Sequence, residues 1–580
     1  MLKRDVSLSG PRLSAALIVG VAALCGRSAV DAKPPAAAAG QCKNDLKLPP
    51  GFCATVFADK LGHARHLVVA PNGVVYVNTW SGRYYGNDQP HEGGFLVALQ
   101  DTTGSGHANV NERFGDTVQT GSAGGTGIGL YKGSLYVEMN DKILRYALPE
   151  GSIVPSGKPD VIVSGLPLTG DHPMHPFVID PQGAMYVDVA SATNSCQKEN
   201  RQPLVPGDQP CTELETRAGI WRYDANKTGQ KFSPAERYAT GIRNADGITI
   251  DSAGTGLYAT QHGRDQLSTN WSSLYKPEQG AELPAEELLK IRQGGDYGWP
   301  ECYFDATQNK LVLAPEYGGD GGSKVGECAG KLAPIAAFPA HWAPNDVAIY
   351  EGSQFPRAYR GGAFIAFHGS WNRAPFPQGG YNIVFQPLAD GKASGKYVIF
   401  ADGFAGANKE PGKATHRPSG LAIAPDGALF VTDDQNGRVW RITYVGGDAS
   451  AQLQTVSPTS PPVGTASAAA ALPPEGINKN AGGEKTASLG QQVFEGKVGG
   501  APCTGCHGSD GKGTPLGPDL TSGKWLWSDG SVAGLQKTIT AGVANPKNYR
   551  GPMPPMGGAQ LAPEQVKAVA AYVWSLGHPK

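Results

Sequence analysis

The sequence lacks a charge bias of either sign, and it lacks a long apolar run beyond its N-terminus. Its 580 residues carry 50 basic and 51 acidic side chains, with no basic block of the kind that follows a phosphate backbone. Nucleic acid is therefore not an expected partner. After the first segment, no stretch stays apolar for the ~20 residues of an ordinary membrane span. We therefore expect no transmembrane span once that segment is removed.

The N-terminal segment has the pattern of a secretory signal. Lys3 and Arg4 precede an apolar run from Leu13 to Leu24, and small residues near Ala32 offer a cleavage site. These features predict a signal peptide over residues 1–32 and a periplasmic or secreted protein. A signal that stays uncleaved and acts as an anchor is the alternative.

Two closely spaced cysteines near the C-terminus are followed directly by a histidine. Cys503, Cys506 and His507 form the attachment signature of a c-type haem, in which both thiols bind the porphyrin and the imidazole binds iron. A thioredoxin-like pair or half of a zinc site is the alternative. Neither explains His507, and the sequence has no second pair with this spacing. The pattern therefore predicts covalent haem c and a redox role.

A haem that transfers electrons commonly has a second protein ligand to iron. Met553 and Met556 lie between the haem signature and the last predicted helix. The segment resembles the cytochrome c loop in which a methionine followed by proline precedes the final helix, and Met553 matches that pattern better. A thioether ligand raises the haem potential. We expect Met553 to bind iron, with Met556 as the alternative.

Six cysteines remain when the signal and haem residues are set aside. Their closeness in sequence suggests three disulfides, Cys42–Cys53, Cys196–Cys211 and Cys302–Cys328. Many other connectivities are open to six cysteines, and free structural thiols are the alternative. Export to an oxidising compartment favours the disulfides.

The middle of the chain repeats one local pattern, in which an apolar strand, a turn rich in Asn, Asp or Gly, and a second strand follow each other. Six such units occur: Leu67–Val77, Ile128–Val137, Phe177–Val187, Ile248–Ala259, Val347–Ala366 and Leu421–Val431. No long amphipathic helix lies among them. Repetition of this kind predicts a six-bladed β-propeller, and a pair of β-sandwiches is the alternative.

The composition changes after the last repeat. We predict that the propeller covers residues 33–446 and that an Ala/Pro/Ser-rich linker covers residues 447–485. Helical periodicity on both sides of the haem signature predicts a small all-α cytochrome c domain over residues 486–580. The fold class is therefore mainly β, a six-bladed propeller followed by a helical domain.

Several short segments of the propeller resemble one enzyme family. They are Gly241-Ile-Arg-Asn244, Tyr297-Gly-Trp-Pro300, His368-Gly-Ser-Trp-Asn-Arg373, and Arg417-Pro418 ahead of Asp433-Asp434. Their order and spacing are similar to those of the pyrroloquinoline quinone (PQQ)-dependent sugar dehydrogenases of the soluble glucose, aldose and sorbosone type. This resemblance covers most of residues 61–444, and it implies a PQQ enzyme.

The resemblance also implies roles for individual residues. It gives Arg243, Asn244, Arg373 and Arg417 as partners of PQQ, whose three carboxylates suit arginine forks. An arginine that braces a turn or a neighbouring blade is the alternative for each. It gives the main-chain carbonyls of Gly263 and Arg264 as calcium ligands.

The general base implied by the resemblance is His172. It would take the hydroxyl proton while hydride passes to the quinone. The sequence departs from the family nearby, because His175 and Pro176 stand where Arg and Thr are expected, and His175 is a rival base. A second departure is Asn382, where many sorbosone-type members carry lysine.

These expectations combine into one hypothesis. The protein is an exported quinohaemoprotein dehydrogenase that oxidises a sugar or related alcohol and passes electrons through its haem to an external acceptor, such as another cytochrome or a quinone-linked protein. A calcium-dependent propeller hydrolase of lactonase type is one alternative. A non-catalytic propeller docking module that carries an electron-transfer cytochrome is another. The arginine cluster argues against a lactonase, which has no tricarboxylate to hold.

Overall fold

A computed structural model describes most of the chain beyond residue 45. The described residues are 46–80, 92–116, 125–148, 151–155, 157–373, 376–409, 414–457, 489–496, 498, 503–508, 510–513, 516–543, 546, 548–549, 553–558 and 561–578. The predicted signal, Cys42 and residues 458–488, which include most of the predicted linker, lie outside these ranges. No helix in the described part is long and apolar enough to cross a membrane.

Six antiparallel sheets of four main strands form the body of the molecule. Blades 1 to 3 are formed, in strand order, by His63–Val69, Val75–Trp80, Leu96–Gln100 and Val110–Phe114; by Ile128–Tyr131, Ser134–Met139, Lys142–Ala147 and Asp160–Ser164; and by Phe177–Ile179, Ala184–Val189, Gly219–Asp224 and Arg237–Thr240. Blades 4 to 6 are formed by Ile248–Ile250, Leu257–Gln261, Glu286–Ile291 and Ala336–Phe338; by Pro344–Ile349, Ala363–Phe367, Asn382–Gln386 and Val398–Ala401; and by Pro418–Ile423, Leu429–Asp433, Val439–Tyr444 and Phe52–Ala58.

The last blade joins both ends of the propeller segment. Its outer strand, Phe52–Ala58, comes from the start of the chain and pairs antiparallel with Val439–Tyr444 from the end. Pairing of the two ends closes the ring, so the blade sheets leave only short edges.

The six repeats predicted from the sequence are the first two strands of the six blades. Leu67 pairs with Val77 in blade 1, and Leu421 pairs with Val431 in blade 6. The turn chemistry is also as expected. Gly73 has a φ of 84°, which glycine adopts without steric cost, and the Asn72 side chain accepts the amide of Val74. The prediction of a six-bladed propeller is confirmed.

Buried carboxylates connect successive blades near the centre. Each accepts a backbone amide from the following blade: Glu138 from His175, Asp188 from Ala245, Glu286 from Ala343, and Asp346 from Leu421. Burial raises the pKa of Glu138 and of Glu286 to about 7. A buried acceptor without such a partner would be costly, so these contacts fix how neighbouring blades meet.

Small elements fill the connections between the strands. In the propeller they are Gln230–Lys231, Cys302–Asp305, Lys310–Leu313, Leu388–Ala389, Lys392–Ala393, the helices Leu267–Asn270 and Pro277–Glu282, and the 3₁₀ turns Thr212–Glu215, Pro234–Glu236, Pro315–Tyr317, Gly326–Gly330 and Arg357–Tyr359. Disulfides join Cys196 to Cys211 and Cys302 to Cys328, as predicted. Cys53 is also disulfide-bonded, and its predicted partner Cys42 lies outside the described residues.

The C-terminal domain is helical. Its elements are Leu489–Phe494, Cys503–His507, Val532–Ala541, the 3₁₀ turn Pro555–Gly558 and Pro563–Leu576. The last helix begins with Pro563 in its first turn, where the missing amide costs nothing, and buries Val566, Val569, Ala570 and Val573. The predicted all-α domain is confirmed.

The start of the predicted linker contacts the propeller. The amide of Val456 donates to the carbonyl of Ile399 at 2.9 Å, and the Thr455 hydroxyl accepts the amide of Ile399 at 3.1 Å. The chain therefore runs along blade 5 before it leaves the described residues. The change in composition after the last repeat predicts where the strands end. It does not predict hydrogen bonds between the following segment and the edge of a blade.

Candidate active site and haem pocket

A cavity of about 1100 Å³ extends from the centre of the propeller into the helical domain. Most of the residues predicted for the site line it: His172, Arg243, Asn244, Gly263, Arg417, Cys503, Cys506, His507 and Met553. Two predicted residues, Arg373 and Arg264, do not. The fold therefore brings the expected substrate base, most of the expected cofactor partners and the haem signature into one continuous space.

Arg243 follows blade 3 and lies buried in the cavity wall. Its guanidinium pairs with Asp265 at 3.2 Å, with both oxygens of Asn194 at 3.0 Å, and with the carbonyl of Gly263 at 3.2 Å. The neighbouring Asn244 is also buried, and its Oδ1 has no hydrogen-bond partner in the described part of the molecule. An unpaired buried amide oxygen at a cavity wall fits a ligand that donates a hydrogen bond.

Arg417 supplies a second cationic group to the wall. Its Nε and Nη2 donate to the carbonyls of His368 at 3.2 Å and Gly369 at 2.5 Å, and its guanidinium lies 5.7 Å from the centre of the Tyr381 ring. These contacts leave the cation fixed at the edge of the cavity.

Arg373 occupies a different position from the one implied by the family resemblance. Its guanidinium donates to the carbonyls of Ala281 at 2.8 Å, Ala340 at 3.0 Å and Pro377 at 3.1 Å, and it pairs with Glu282 at 2.9 Å. With these four partners it braces its own loop, which was the structural alternative. Arg373 does not line the cavity in this arrangement, and its role as a cofactor partner stays a prediction.

The structure separates the two candidate bases. Nδ1 of His172 lies 2.8 Å from the carbonyl of Ser191, and because a carbonyl only accepts, Nδ1 carries the proton. Its Nε2 makes no hydrogen bond to any described residue, and the side chain lines the cavity. His175 is fully buried outside the cavity, and its two ring nitrogens lie against the carbonyls of Asp188 and Pro167. His175 therefore has no free nitrogen for a substrate.

The environment of His172 keeps it neutral. Burial and the charge of Arg243 hold the pKa of His172 well below its ordinary value. A neutral imidazole with a free Nε2 is the form that accepts a proton.

The predicted calcium loop lies at the cavity only in part. Gly263 lines it, and its amide donates to Glu286 at 2.8 Å. The Arg264 side chain is buried against Glu316, away from the cavity. Among the described residues, no cluster of three or more His, Cys, Asp or Glu side chains is arranged to hold a metal.

Two arginines at the cavity were missed by the sequence reasoning. Arg65, in the first strand of blade 1, pairs with Asp434 at 2.7 Å and Asp246 at 3.4 Å. Arg201 comes from the disulfide-closed insertion and bridges Asp171 and Asp265, each at 3.0 Å. Arg65 could have been identified from the sequence, because a charged residue is unusual in an apolar strand such as the one around Leu67. Arg201 lies in a polar loop, where one more charge is not distinctive.

The haem signature forms a short helix at the far end of the cavity. It carries Cys503 and Cys506, and Nδ1 of His507 donates to the carbonyl of Pro518 at 3.0 Å. This bond leaves Nε2 of His507 for iron. The wall around it is apolar and contains Phe494, Leu520, Leu535, Ile539, Val569 and Val573. The residues present fit a covalently bound haem.

The two candidate methionines differ in position. Met553 lines the cavity, whereas Met556 lies in the adjacent 3₁₀ turn, does not line it, and has a φ of 53°. We expect Met553→Ala to lose the sulfur-to-iron charge-transfer band in the oxidised haem spectrum, because the thioether ligand is removed. Met556→Ala is the matched control and is expected to keep the band. The reverse pattern would reassign the ligand.

The fold and site define a β-propeller protein fused to a c-type cytochrome. Residues 46–445 match the family model described as TrAA12-like, and residues 487–577 match the model for cytochrome c. The chain belongs to the TrAA12-like family and ends in a cytochrome c domain.

Three similar proteins illustrate these matches. A PQQ-dependent pyranose dehydrogenase from Coprinopsis cinerea is 27% identical over 36% of this chain and 31% of its own length. A cbb3-type cytochrome c oxidase subunit FixP from Rhizobium etli is 40% identical over 13% of this chain and 26% of its own length. A calcium structure of a carbohydrate-active enzyme of family AA12 from Trichoderma reesei is 18% identical, covers 69% of this chain and 97% of that one, and superposes with a TM-score of 0.54. The chain thus spans less than a third of the length of the two curated relatives, the pyranose dehydrogenase and the oxidase subunit.

Proposed function

We propose that this protein is an exported quinohaemoprotein dehydrogenase, which oxidises a sugar or related alcohol with PQQ and passes the electrons to its own haem c. The observation that carries the proposal is the shared cavity, which has cationic walls and a free imidazole nitrogen at one end and the haem signature at the other. A hydrolase needs no such connection to a haem, and a docking module needs no base.

The propeller end of the cavity fits a tricarboxylate quinone. Arg243, Arg417 and Arg65 place three guanidinium groups at its wall, and the unpaired Oδ1 of Asn244 offers an acceptor. Guanidinium forks match carboxylates. When bound, PQQ supplies an ortho-quinone that takes a hydride from the substrate carbon. Relatives of this chain include a PQQ-dependent pyranose dehydrogenase, which supports a sugar as substrate.

His172 is the proposed general base. Its Nδ1–H is held by the Ser191 carbonyl at 2.8 Å, which fixes the ring and leaves Nε2 unprotonated. Nε2 takes the proton from the substrate hydroxyl as the carbon is oxidised, and a carbonyl or a lactone results.

Calcium is part of the proposal through the carbonyls of Gly263 and Arg264. The carbonyl of Gly263 lies in reach of the cavity wall and now accepts Arg243, so a cation there would replace the guanidinium as its partner. A hard cation takes oxygen ligands of this kind. The calcium structure of the family AA12 enzyme supports this part of the proposal.

The remaining proposals concern the whole chain. Residues 1–32 direct export to the periplasm or outside, residues 33–446 form the dehydrogenase, residues 447–485 link the domains, and residues 486–580 carry the haem. His507 and Met553 bind its iron, and Cys503 and Cys506 attach it. An external one-electron acceptor, such as another cytochrome or a quinone-linked protein, reoxidises the haem.

Reconstitution tests the proposed activity. The purified protein is mixed with PQQ and calcium, and a panel of sugars, alcohols and lactones is offered with a soluble dye as electron acceptor. We expect dye reduction by a sugar or alcohol only when PQQ is present, and loss of that reduction in matched samples without PQQ. Lactone hydrolysis without PQQ would support the hydrolase, and no reaction at all would support the docking module.

The lowered pKa of His172 predicts the pH dependence. An ordinary histidine loses its proton near a pH of about 6.5, and burial together with Arg243 moves the pKa of His172 below that value. The base therefore stays neutral as the pH falls from 8 through 6.5. We expect dye-linked turnover to stay level over that range and to fall only at lower pH. An acid limb centred above 6.5 would contradict this assignment.

A further inference from the structure

The helical domain touches the propeller through two glycines. A methyl group at Gly505, between the two haem cysteines, would stand 3.0 Å from Cβ of Trp371 and 3.3 Å from its Cγ. One at Gly558, in the turn after Met553, would stand 3.2 Å from Nε2 of Gln266. The absence of side chains at both positions lets the two domains approach closely. Both segments are the ones that hold the haem.

Hydrogen bonds and ion pairs hold the propeller side of this contact in place. Trp371 lies in a loop fixed by Arg373, whose guanidinium binds two distant carbonyls and Glu282. In the same loop, Nδ2 of Asn372 donates to Asp265 at 3.0 Å. Asp265 in turn holds Arg243 at 3.2 Å. The same carboxylate therefore connects the loop of Trp371 to the cationic wall of the cavity.

Gln266 is held in place by the same network of charged side chains around Asp265. Its Oε1 accepts Nη1 of Arg201 at 3.2 Å, and Arg201 also pairs with Asp265 at 3.0 Å. Gln266 is buried. Its side chain thus binds Arg201 on one side and lies against Gly558 of the helical domain on the other. A surface made of side chains fixed in this way is suited to receive one partner in one orientation.

We propose that Trp371 and Gln266 form the docking surface for the chain's own cytochrome domain, and that the docked arrangement is the one that passes electrons. The inference rests on the proposed function, and it names the surface across which electrons pass from the propeller to the haem domain. The substrate carbon loses two electrons in the propeller cavity. The hydroxyl proton would go to Nε2 of His172, and the quinone would hold both electrons and the second proton, which it would later release to water. The haem would accept the electrons from the quinone one at a time, and two equivalents of an external one-electron acceptor would take them on for each substrate oxidised.

Gly505→Leu is the variant that tests the surface from the cytochrome side. Gly505 lies in the helix Cys503–His507, so the backbone accepts a side chain, while leucine there would overlap Trp371. Ala533→Leu is the matched control, because it adds the same side chain at an exposed position of the helix Val532–Ala541 that does not line the cavity. Trp371→Ala removes the contact from the other side and serves if Gly505→Leu fails to take up haem.

Two readouts are measured on the full-length protein. Small-angle scattering, which needs no PQQ, reports whether the domains stay docked. Stopped-flow absorbance reports sugar-driven haem reduction, with ascorbate reduction as the check that the haem itself is intact. We expect Gly505→Leu to expand the molecule and to slow sugar-driven haem reduction by on the order of tenfold or more, since small misplacements of reacting groups carry large rate costs. Ala533→Leu is expected to match wild type in both.

Each result decides the proposal. Unchanged scattering in Gly505→Leu and in Trp371→Ala overturns the docking surface. Expanded scattering with an unchanged reduction rate overturns the claim that the docked arrangement passes electrons. If the wild-type protein oxidises no sugar even with a dye, the proposed function fails, and scattering alone then upholds or overturns the surface.

Discussion

Replacing His172 with glutamine is expected to lower dye-linked turnover by roughly 10²–10⁴-fold, the range for loss of a positioned general base. Glutamine can still donate to the Ser191 carbonyl, so the loop keeps its contact, but the amide cannot accept a proton at the position of Nε2. PQQ binding is expected to persist, because the arginines of the cavity wall are untouched. Turnover with PQQ bound is the quantity to measure.

The control for this variant is another histidine of the same cavity. His341 lines it, but its nitrogens contact the carbonyl of Gly280 at 2.8 Å and the amide of Asn372 at 3.2 Å. His341→Gln is expected to cost far less turnover, because neither nitrogen is free to act as a base. If His172→Gln keeps near wild-type turnover while PQQ is bound, His172 is not the base.

Replacing Cys503 and Cys506 with serine is expected to abolish covalent haem and, with it, reduction of a protein acceptor. Serine cannot form the thioether bonds by which Cys503 and Cys506 would hold the porphyrin. We expect a loss of at least on the order of 10²-fold in reduction of a c-type cytochrome by sugar, since the haem is the terminal carrier on the proposed route. Peptide-bound haem is measured by staining after denaturation.

The same variant separates the two halves of the protein. Dye-linked sugar oxidation belongs to the propeller and is expected to remain measurable when the haem is lost. Reduction of the protein acceptor at the wild-type rate without covalent haem would show that electrons leave the propeller by another route.

Local sequence chemistry was enough to predict the blades. Each unit, such as Leu67–Val77, carries its own strands and its own turn, so its structure depends on neighbours a few residues away. The haem signature is local for the same reason, since Cys503, Cys506 and His507 lie on one short helix. Two of the three predicted disulfides could also be read from short separations, and both are present.

The cavity wall depends on contacts between distant segments. Asp265 brings together Arg201, Arg243 and Asn372, which are far apart in sequence and belong to different loops. Resemblance predicts that Arg373 binds the cofactor, and in the structure its guanidinium contacts four nearby acceptors and does not line the cavity. Arg65 was overlooked although it reaches the cavity. Which arginine faces the cavity depends on the packing of all six blades, and no local pattern records that.

The same limit applies to the junction of the domains. Nothing in the spacing of Gly505 or Gly558 predicts that Trp371 and Gln266 lie against them. The sequence predicted that a propeller enzyme passes electrons to a haem domain of the same chain, and the structure supplies the residues at which the two domains touch.

Transfer of electrons from a sugar to the protein's own haem can be measured without any other acceptor. The purified protein is loaded with PQQ and calcium, its haem is oxidised, and a sugar that supports dye reduction is added in the absence of any other acceptor while the haem absorbance is recorded. We expect the protein's own haem to become ferrous, and to stay ferric in the sample without PQQ. A haem that stays ferric with PQQ, although the same sample oxidises the sugar when dye is added, would contradict it.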